Sequence, residues 1–448
     1  MSNFVPFNRE QSFLLPPDLK EWLPADDVAH FIVAAVDRVP LASFQVPDRS
    51  GGKPQYHPRL MLALLVYCYA NGIFSSRRIE RATYRDIGAR FIAANTHPDH
   101  DTIAVFRRSN NQAFEAAFLE VLLLARATGL LKLGTVSIDG TKIDADASKI
   151  RSVRYDRAQA LREKLAADIA ALTTKAEAGD AEDEDAQALP REIARRAALH
   201  EKLDAACARL EAEAKARAEA ERPEYERKKA VYQAKRGRRG RPPKPPDETP
   251  PPDRQTNLTD PDAPLMRKSK AHEYRQAYNA QAVVCAEGSQ LILATNMATT
   301  PSDQPTFAAT ILSMKTTIGL PKVVLADAGF ADGEAVAQLE AAGVEPLVAI
   351  ARTQPHRPYD FRPPPDQPKP ARRILEPWRL TMQATLDSDV GKARYKKRQQ
   401  TVEPVFGIIK TAMGFTRFHL RGCQKVAVEW LLVALAYNCR RLHKLQPA

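Results

Sequence analysis

The sequence predicts an α/β protein: a mixed sheet with flanking helices, preceded by an all-helical N-terminal domain and interrupted by a helical-hairpin insertion. Three observations carry this prediction. Apolar and aromatic residues fall at helical spacing through residues 1–130, and short β-prone runs closed by Gly turns dominate the later chain. Between the first β-run and the second lies a stretch rich in Ala, Glu, Lys and Arg with a helical pattern of its own. The boundaries follow: a helical domain at 1–130, the α/β domain at 131–150 and 265–448, and an insertion at 151–264.

In the first domain Leu60, Leu64, Tyr67 and Ile73 fall at near-helical spacing. Ser75-Ser76 ahead of Arg77-Arg78-Ile79-Glu80 suits an ordinary capped helix and the start of a DNA-reading helix equally. Phe114, Phe118, Val121, Leu122 and Leu124 mark a further helix ending near Gly129. Leu133 to Gly140 is a β-run closed by a Gly turn. The insertion carries Leu161, Leu165, Ile169 and Leu172, then an acidic stretch from Glu177 to Asp185, then Ile193, Leu199, Leu203 and Leu210. That pattern predicts an antiparallel helical hairpin, with a pairing role left open.

Arg227 to Lys244 holds nine basic residues and no acidic one. The Pro-rich linker running on to Pro264 is too poor in apolar residues to fold by itself. Further strands are expected at Tyr278–Cys285 and Leu291–Thr295, joined by a Glu287-Gly288-Ser289 turn, then at Val323–Leu325 and Pro346–Ile350. A helix is expected at Glu334–Ala342, a Pro-rich loop at Pro355–Pro370 and helices from about 395 to 445.

Composition excludes several classes. Lys+Arg (66) exceed Asp+Glu (54), giving a net charge of +12, so a polyanionic partner is favoured. The longest apolar run, Leu60 to Ala70, has 11 residues, short of the roughly 18 that span a bilayer. The opening Met-Ser-Asn-Phe-Val-Pro has no signal pattern, so a cytoplasmic protein with no membrane partner is expected. Five cysteines lie far apart without a Cys-x-x-Cys pair, which disfavours disulfides and zinc.

Three acids stand out by position: Asp139 at the end of the first β-run, Asp327 at the end of the Val323-Val324-Leu325 run, and Glu403 in Thr401-Val402-Glu403-Pro404. Acids that emerge at a sheet edge sit where α/β active sites form. Ionised together they need a hard cation such as Mg²⁺, and such an ion can activate a hydroxyl for attack on a phosphodiester. Any one Asp after a strand is more often a turn former.

Ile138-Asp139-Gly140-Thr141-Lys142, Thr259-Asp260-Pro261-Asp262, Tyr278-Asn279-Ala280-Gln281, Leu325-Ala326-Asp327-Ala328-Gly329-Phe330 and Val402-Glu403-Pro404-Val405-Phe406-Gly407 resemble, in this order, the DDE transposases of bacterial insertion sequences. Leu14-Leu15-Pro16-Pro17, Tyr56-His57-Pro58, Gly72 to Arg77 and Pro98 to Ile103 are similar to the helical domain that precedes their core. The resemblance implies a ribonuclease H-like catalytic core, with Asp139, Asp327 and Glu403 as catalytic and metal-holding residues. It implies Mg²⁺ as cofactor, with Mn²⁺ as substitute, and double-stranded DNA, both element ends and target, as partner. A homodimer or higher assembly on DNA, associated with the nucleoid, is expected. Tyr395, Arg398 and Lys410 are expected at DNA, although Arg398 precedes Glu403 by five residues where the family has four.

Arg239-Gly240-Arg241-Pro242 looks like an AT-hook core. Minor-groove insertion, diffuse phosphate attraction and a merely solvated linker all suit it. His419 is expected beside the DNA path, and Asp144 and Asp146 in surface roles. The function expected is a transposase that binds its terminal inverted repeats and cleaves and joins strands by a two-metal mechanism. The alternatives are a catalytically inactive, transposase-derived DNA-binding regulator and a structure-specific nuclease of the same fold.

Overall fold

The computed structural model describes residues 18–46, 55–177, 183–234, 241–267, 273–300, 302–350 and 376–445. Leu14 to Pro17, Arg239, Gly240 and the expected loop at 355–370 lie outside them. No helix among the described residues is long and apolar enough to cross a membrane.

The N-terminal region is helical: α1 (Val28–Asp37), α2 (Pro58–Ala70), α3 (Ser76–Arg85), α4 (Ile87–Ile92), α5 (His100–Ser109) and α6 (Asn111–Ala127). Asp27, Asp86 and Asp99 accept hydrogen bonds from the first N–H groups of α1, α4 and α5. Those donors have no partner inside the helix. α6 ends as Gly129 takes φ +73°, the left-handed conformation that glycine adopts freely. α2 is buried from Met61 through Ala70, because α1, α3, α4 and α5 all pack against it. A helix covered all round has no reason to carry a polar face.

Beyond α6 come β1 (Thr135–Asp144), β2 (Ser152–Arg154), α7 (Tyr155–Glu177), α8 (Asp183–Ala234), β3 (Gln255–Asn257), β4 (Leu265–Met266), β5 (Arg275–Cys285) and β6 (Ile292–Ala298). The remainder is α9 (Phe307–Leu312), β7 (Val323–Ala326), α10 (Gly333–Ala341), β8 (Glu345–Val348), α11 (Pro377–Asp387), α12 (Asp389–Lys396), α13 (Val402–Gly407) and α14 (Cys423–Leu445). One correction falls on Gly140, expected to close β1 with a turn. The strand runs through it to Asp144, and the glycine accommodates side chains packed against it.

The central sheet has six strands, in the order β4-β5-β1-β7-β8 with β6 also paired to β5 on the side away from β1. β5 and β6 form an antiparallel hairpin. β1 opposes β5, since Thr135 O receives the N–H of Ala286 and Gln276 O that of Ala145. β7 joins β1 in parallel, and β8 joins β7 in parallel.

Two compact units result: residues 1–143, 279–420 and 424–448, and residues 144–278 with 421–423. The N-terminal helices and most of the sheet fall together in the first unit. A buried acid ties them. Glu429 of α14 is fully buried and receives a hydrogen bond from Tyr69 Oη of α2 (3.0 Å) and from the N–H groups of His419 and Leu420 (2.9 Å each). Arg107 of α5 donates to Tyr69 Oη (2.8 Å) and to Phe74 O (2.9 Å). Burial alone would raise the Glu429 pKa, yet the bonds from His419 and the charge of Arg107 hold it below the usual carboxylate value. His419, expected beside the DNA path, is the 3.4 Å ion partner of this acid.

In the second unit α7 and α8 pack antiparallel, with Leu203 and Cys207 buried against Val153 and Ala158. Arg162 pairs with Asp204 and Asp168 with Arg196. Asp144 and Asp146 pair with Arg275 and Arg421, in keeping with surface roles. The Pro-rich linker departs from expectation. Glu248 pairs with Arg222 of α8 and Arg254 with Glu213, Pro250 is buried, and Gln255–Asn257 pairs with β2. The exposed ion pairs add little; the end of the segment is tied by backbone bonds, the N–H groups of Tyr155 and Asp156 donating to Arg254 O (2.8 Å) and Pro252 O (3.1 Å).

The Glu429 network predicts that Glu429→Ala costs about 3–5 kcal/mol of unfolding free energy, because Arg107 is left charged and buried. Urea denaturation measures it, and a loss below about 1 kcal/mol would contradict the role given to this acid.

Candidate active site

β1 turns Ser137, Asp139 and Thr141 to one face of the sheet by the two-residue period of a strand. The register that pairs Ser137 with Leu325 carries on to bring Asp139 level with Asp327, on strands about 4.8 Å apart. Asp327 lies just past the end of β7, where its side chain caps a short 3₁₀ turn by accepting the N–H of Gly329 (2.8 Å). Asp139 likewise accepts the N–H of Gly140 (2.8 Å). In both residues Oδ1 is therefore occupied by a backbone donor.

The two Oδ2 atoms converge on one cation. Arg398 Nη2 donates to Asp139 Oδ2 at 2.8 Å and lies 4.0 Å from Asp327 Oδ2. The guanidinium is 11% exposed and the Asp139 side chain 18%, and Arg398 Nε is buried without a hydrogen-bond partner. Burial lifts the Asp139 pKa to about 6, with Asp327 and Asp303 adding to the rise, while Arg398 opposes it.

The segment that supplies Arg398 is tied down on both sides of it. Tyr395 Oη donates to Ala326 O (3.0 Å), next to Asp327, and burial raises its pKa. Lys410, in a π-helical turn at Ile408–Ala412, donates to Thr141 Oγ1 (2.6 Å) and Lys142 O (3.1 Å). The five-residue spacing from Arg398 to Glu403 also has a physical account. Arg398 lies between α12 and α13, in the turn at 397–401, so the extra residue disturbs no helical register.

Glu403 lies in the first turn of α13 and is exposed. Its chain is anchored to β1 through Arg398 before it and Lys410 after it. Among the described residues no group of three His, Cys, Asp or Glu is spaced to hold a metal ion. The structure thus brings Asp139 and Asp327 together and leaves Glu403 outside such a group. Arg241 is exposed.

Sequence reasoning missed Asp303. Its Oδ1 accepts from Asn279 Nδ2 (2.6 Å) and Gln281 Nε2 (2.8 Å), two buried amides of β5. Gln281 Oε1 in turn accepts from Asn296 Nδ2 and Thr306 Oγ1. Two amides at alternate positions, just ahead of the apolar run Ala282–Cys285, were the signal, since buried amides require partners.

The donor set suits a hard divalent cation: two carboxylate oxygens already converge on a positive charge, in an all-oxygen setting. Residues 249–439 match a family model described as a transposase DDE domain, and residues 17–109 one described as a transposase domain (DUF772). The first span contains Asp303, Asp327, Arg398, Glu403 and Lys410, whereas Asp139 lies in neither. No curated protein and no solved structure matches the chain.

The raised pKa of Asp139 has a consequence for stability. From about pH 4 to 6 the folded chain holds a proton that the unfolded chain has released, so ionisation weakens the fold as pH rises through that window. In chelator, the stability of Asp139→Asn relative to wild type should therefore climb between pH 4 and 7, by at most about 3 kcal/mol. Denaturant titrations at each pH measure this, and a flat difference would refute it.

Proposed function

Because this chain belongs to the DDE transposases of insertion sequences, we propose that it binds the terminal inverted repeats of its own element, cleaves DNA there with Mg²⁺, and joins the freed 3′-hydroxyl to target DNA. The observation that carries the reading is the convergence of Asp139 Oδ2 and Asp327 Oδ2 on a single cation position. The path β6-β5-β1-β7-β8 through the sheet, with three antiparallel strands followed by two parallel ones, supports a ribonuclease H-like core.

Asp139, Asp327 and Glu403 would hold the divalent ions, Glu403 being carried on a segment anchored to β1 on both sides. When bound, Mg²⁺ would lower the pKa of the attacking water or hydroxyl and offset charge on the leaving oxygen. Arg398 keeps the two aspartates together and is itself a planar donor suited to a phosphate. Tyr395 fixes the strand end that presents Asp327. Lys410 and the basic run with Arg239, Gly240 and Arg241 would meet the DNA backbone, the latter also the minor groove. Cutting two ends in concert calls for a dimer or larger assembly on DNA, in the cytoplasm at the nucleoid.

The exposed position of Glu403 favours one second reading: a DNA-binding regulator derived from such an enzyme, with its third acid unassembled. A plasmid carrying the gene's own flanking DNA separates the two. Mg²⁺-dependent nicks at two defined positions, at least about 100-fold weaker in Glu403→Gln with binding retained, are expected of the transposase. Tight binding of the flanks without cleavage in Mg²⁺ or Mn²⁺ would leave the regulator.

A further inference from the structure

Asp303 touches the two glycines that orient the two aspartates. A Cβ on Gly140 would lie 2.7 Å from Asp303 Oδ1 and 2.5 Å from Asn279 Oδ1, and one on Gly329 would lie 3.3 Å from Asp303 Oδ2. Neither glycine has a positive φ, so it is the space, and not the backbone conformation, that calls for glycine at both. The N–H of Gly140 holds Asp139 Oδ1 and the N–H of Gly329 holds Asp327 Oδ1, each at 2.8 Å.

The strand pleat turns Asp139 and Gly140 to opposite faces. Asp303 therefore lies behind β1, away from the face on which Arg398 meets Asp139. Its own position is fixed by Asn279 and Gln281, and Gln281 is fixed by Asn296 and Thr306. A chain of hydrogen bonds thus runs from β6 and β5 to Asp303, whose carboxylate packs against both glycines without bonding to either.

We propose that Asp303 is a positioning residue for the strand-cleavage reaction: clamped by Asn279 and Gln281, it sets Gly140 and Gly329 so that their N–H groups occupy one oxygen of each aspartate and leave Asp139 Oδ2 and Asp327 Oδ2 to converge. The inference rests on the proposed cleavage activity. It adds a residue that touches neither DNA nor the reacting atoms and acts through two backbone amides.

The test uses the full chain with two readouts: cleavage of flanking DNA in Mg²⁺, and Mn²⁺ binding by calorimetry. Asp303→Ala should weaken both by about 10–100-fold, as loss of an outer support of a metal site does. Its DNA affinity in EDTA should stay within about twofold, since a positioning role leaves substrate binding intact. Asp303→Asn keeps an acceptor for both amides and should recover most of both losses. Gly140→Ala should be harmful in the wild-type chain and nearly harmless beside the double change Asn279→Ala and Asp303→Ala, because both side-chain oxygens that its methyl would meet are then gone. Asn279→Ala loosens the clamp with the carboxylate in place and should give smaller losses of the same kind, so the test does not hang on the folding of Asp303→Ala. Wild-type Mn²⁺ affinity in Asp303→Ala, or an Asp303→Asn as impaired as Asp303→Ala, would overturn the proposal. A wild-type chain that cuts nothing would instead overturn the cleavage reading, and the Mn²⁺ titration would still decide the role of Asp303.

Discussion

Two carboxylates at the same register of neighbouring strands cannot both stay charged in a mostly buried setting unless a cation stands between them. Asp139 and Asp327 impose that condition, and much of the C-terminal half answers it. Arg398 brings the charge from 259 residues away in sequence. Tyr395 and Lys410 bind the flanking segments to the ends of β7 and β1. The turn at 397–401 frees Arg398 from helical register so that it can reach inward. The docking of this segment on the sheet is in large part an electrostatic arrangement, with the apolar contacts of Val402, Val405 and Phe406 supplying the burial that makes the charge effective.

The N-terminal helices meet α14 by the same kind of solution. Glu429 is sealed from water by the packing of α2 and α14, and Arg107, Tyr69 and two backbone N–H groups compensate it. A buried acid of this sort adds little to net stability compared with apolar packing, but it tolerates few alternative arrangements. It fixes how α2, α5 and α14 face each other, where apolar side chains alone would allow sliding.

What the sequence made legible was local. The strands around Asp139 and Asp327, the β5–β6 hairpin and the two-helix insertion all follow from period and turn residues within a few residues. What it concealed was relational. Gly140 reads as a turn because glycine usually punctuates a strand, and only the side chains of Asn279 and Asp303, more than a hundred residues on, show that it clears space. Glu429 sits in an ordinary amphipathic stretch until its partner 360 residues away is known. The linker at 241–254 lacks apolar residues, so its attachment through the carbonyls of Pro252 and Arg254 leaves no hydropathy signal. Glu403 stands out in the sequence beside the two aspartates, but its role is read from family likeness, since the sequence around it gives no strand end to place it.

The β2–β3 ladder pairs Ser152 with Asn257 and Arg154 with Gln255, so the hundred residues between Arg154 and Gln255 begin and end at adjacent points. Closing a loop that long costs only slightly more than closing one of half its length, and here the closure is made by three strand pairs. The excursion is topologically a hairpin tip. Its helices can lengthen, shorten or be exchanged by whole turns while the chain still returns to the same place, so this segment is free to diverge in sequence and size faster than the strands that flank it.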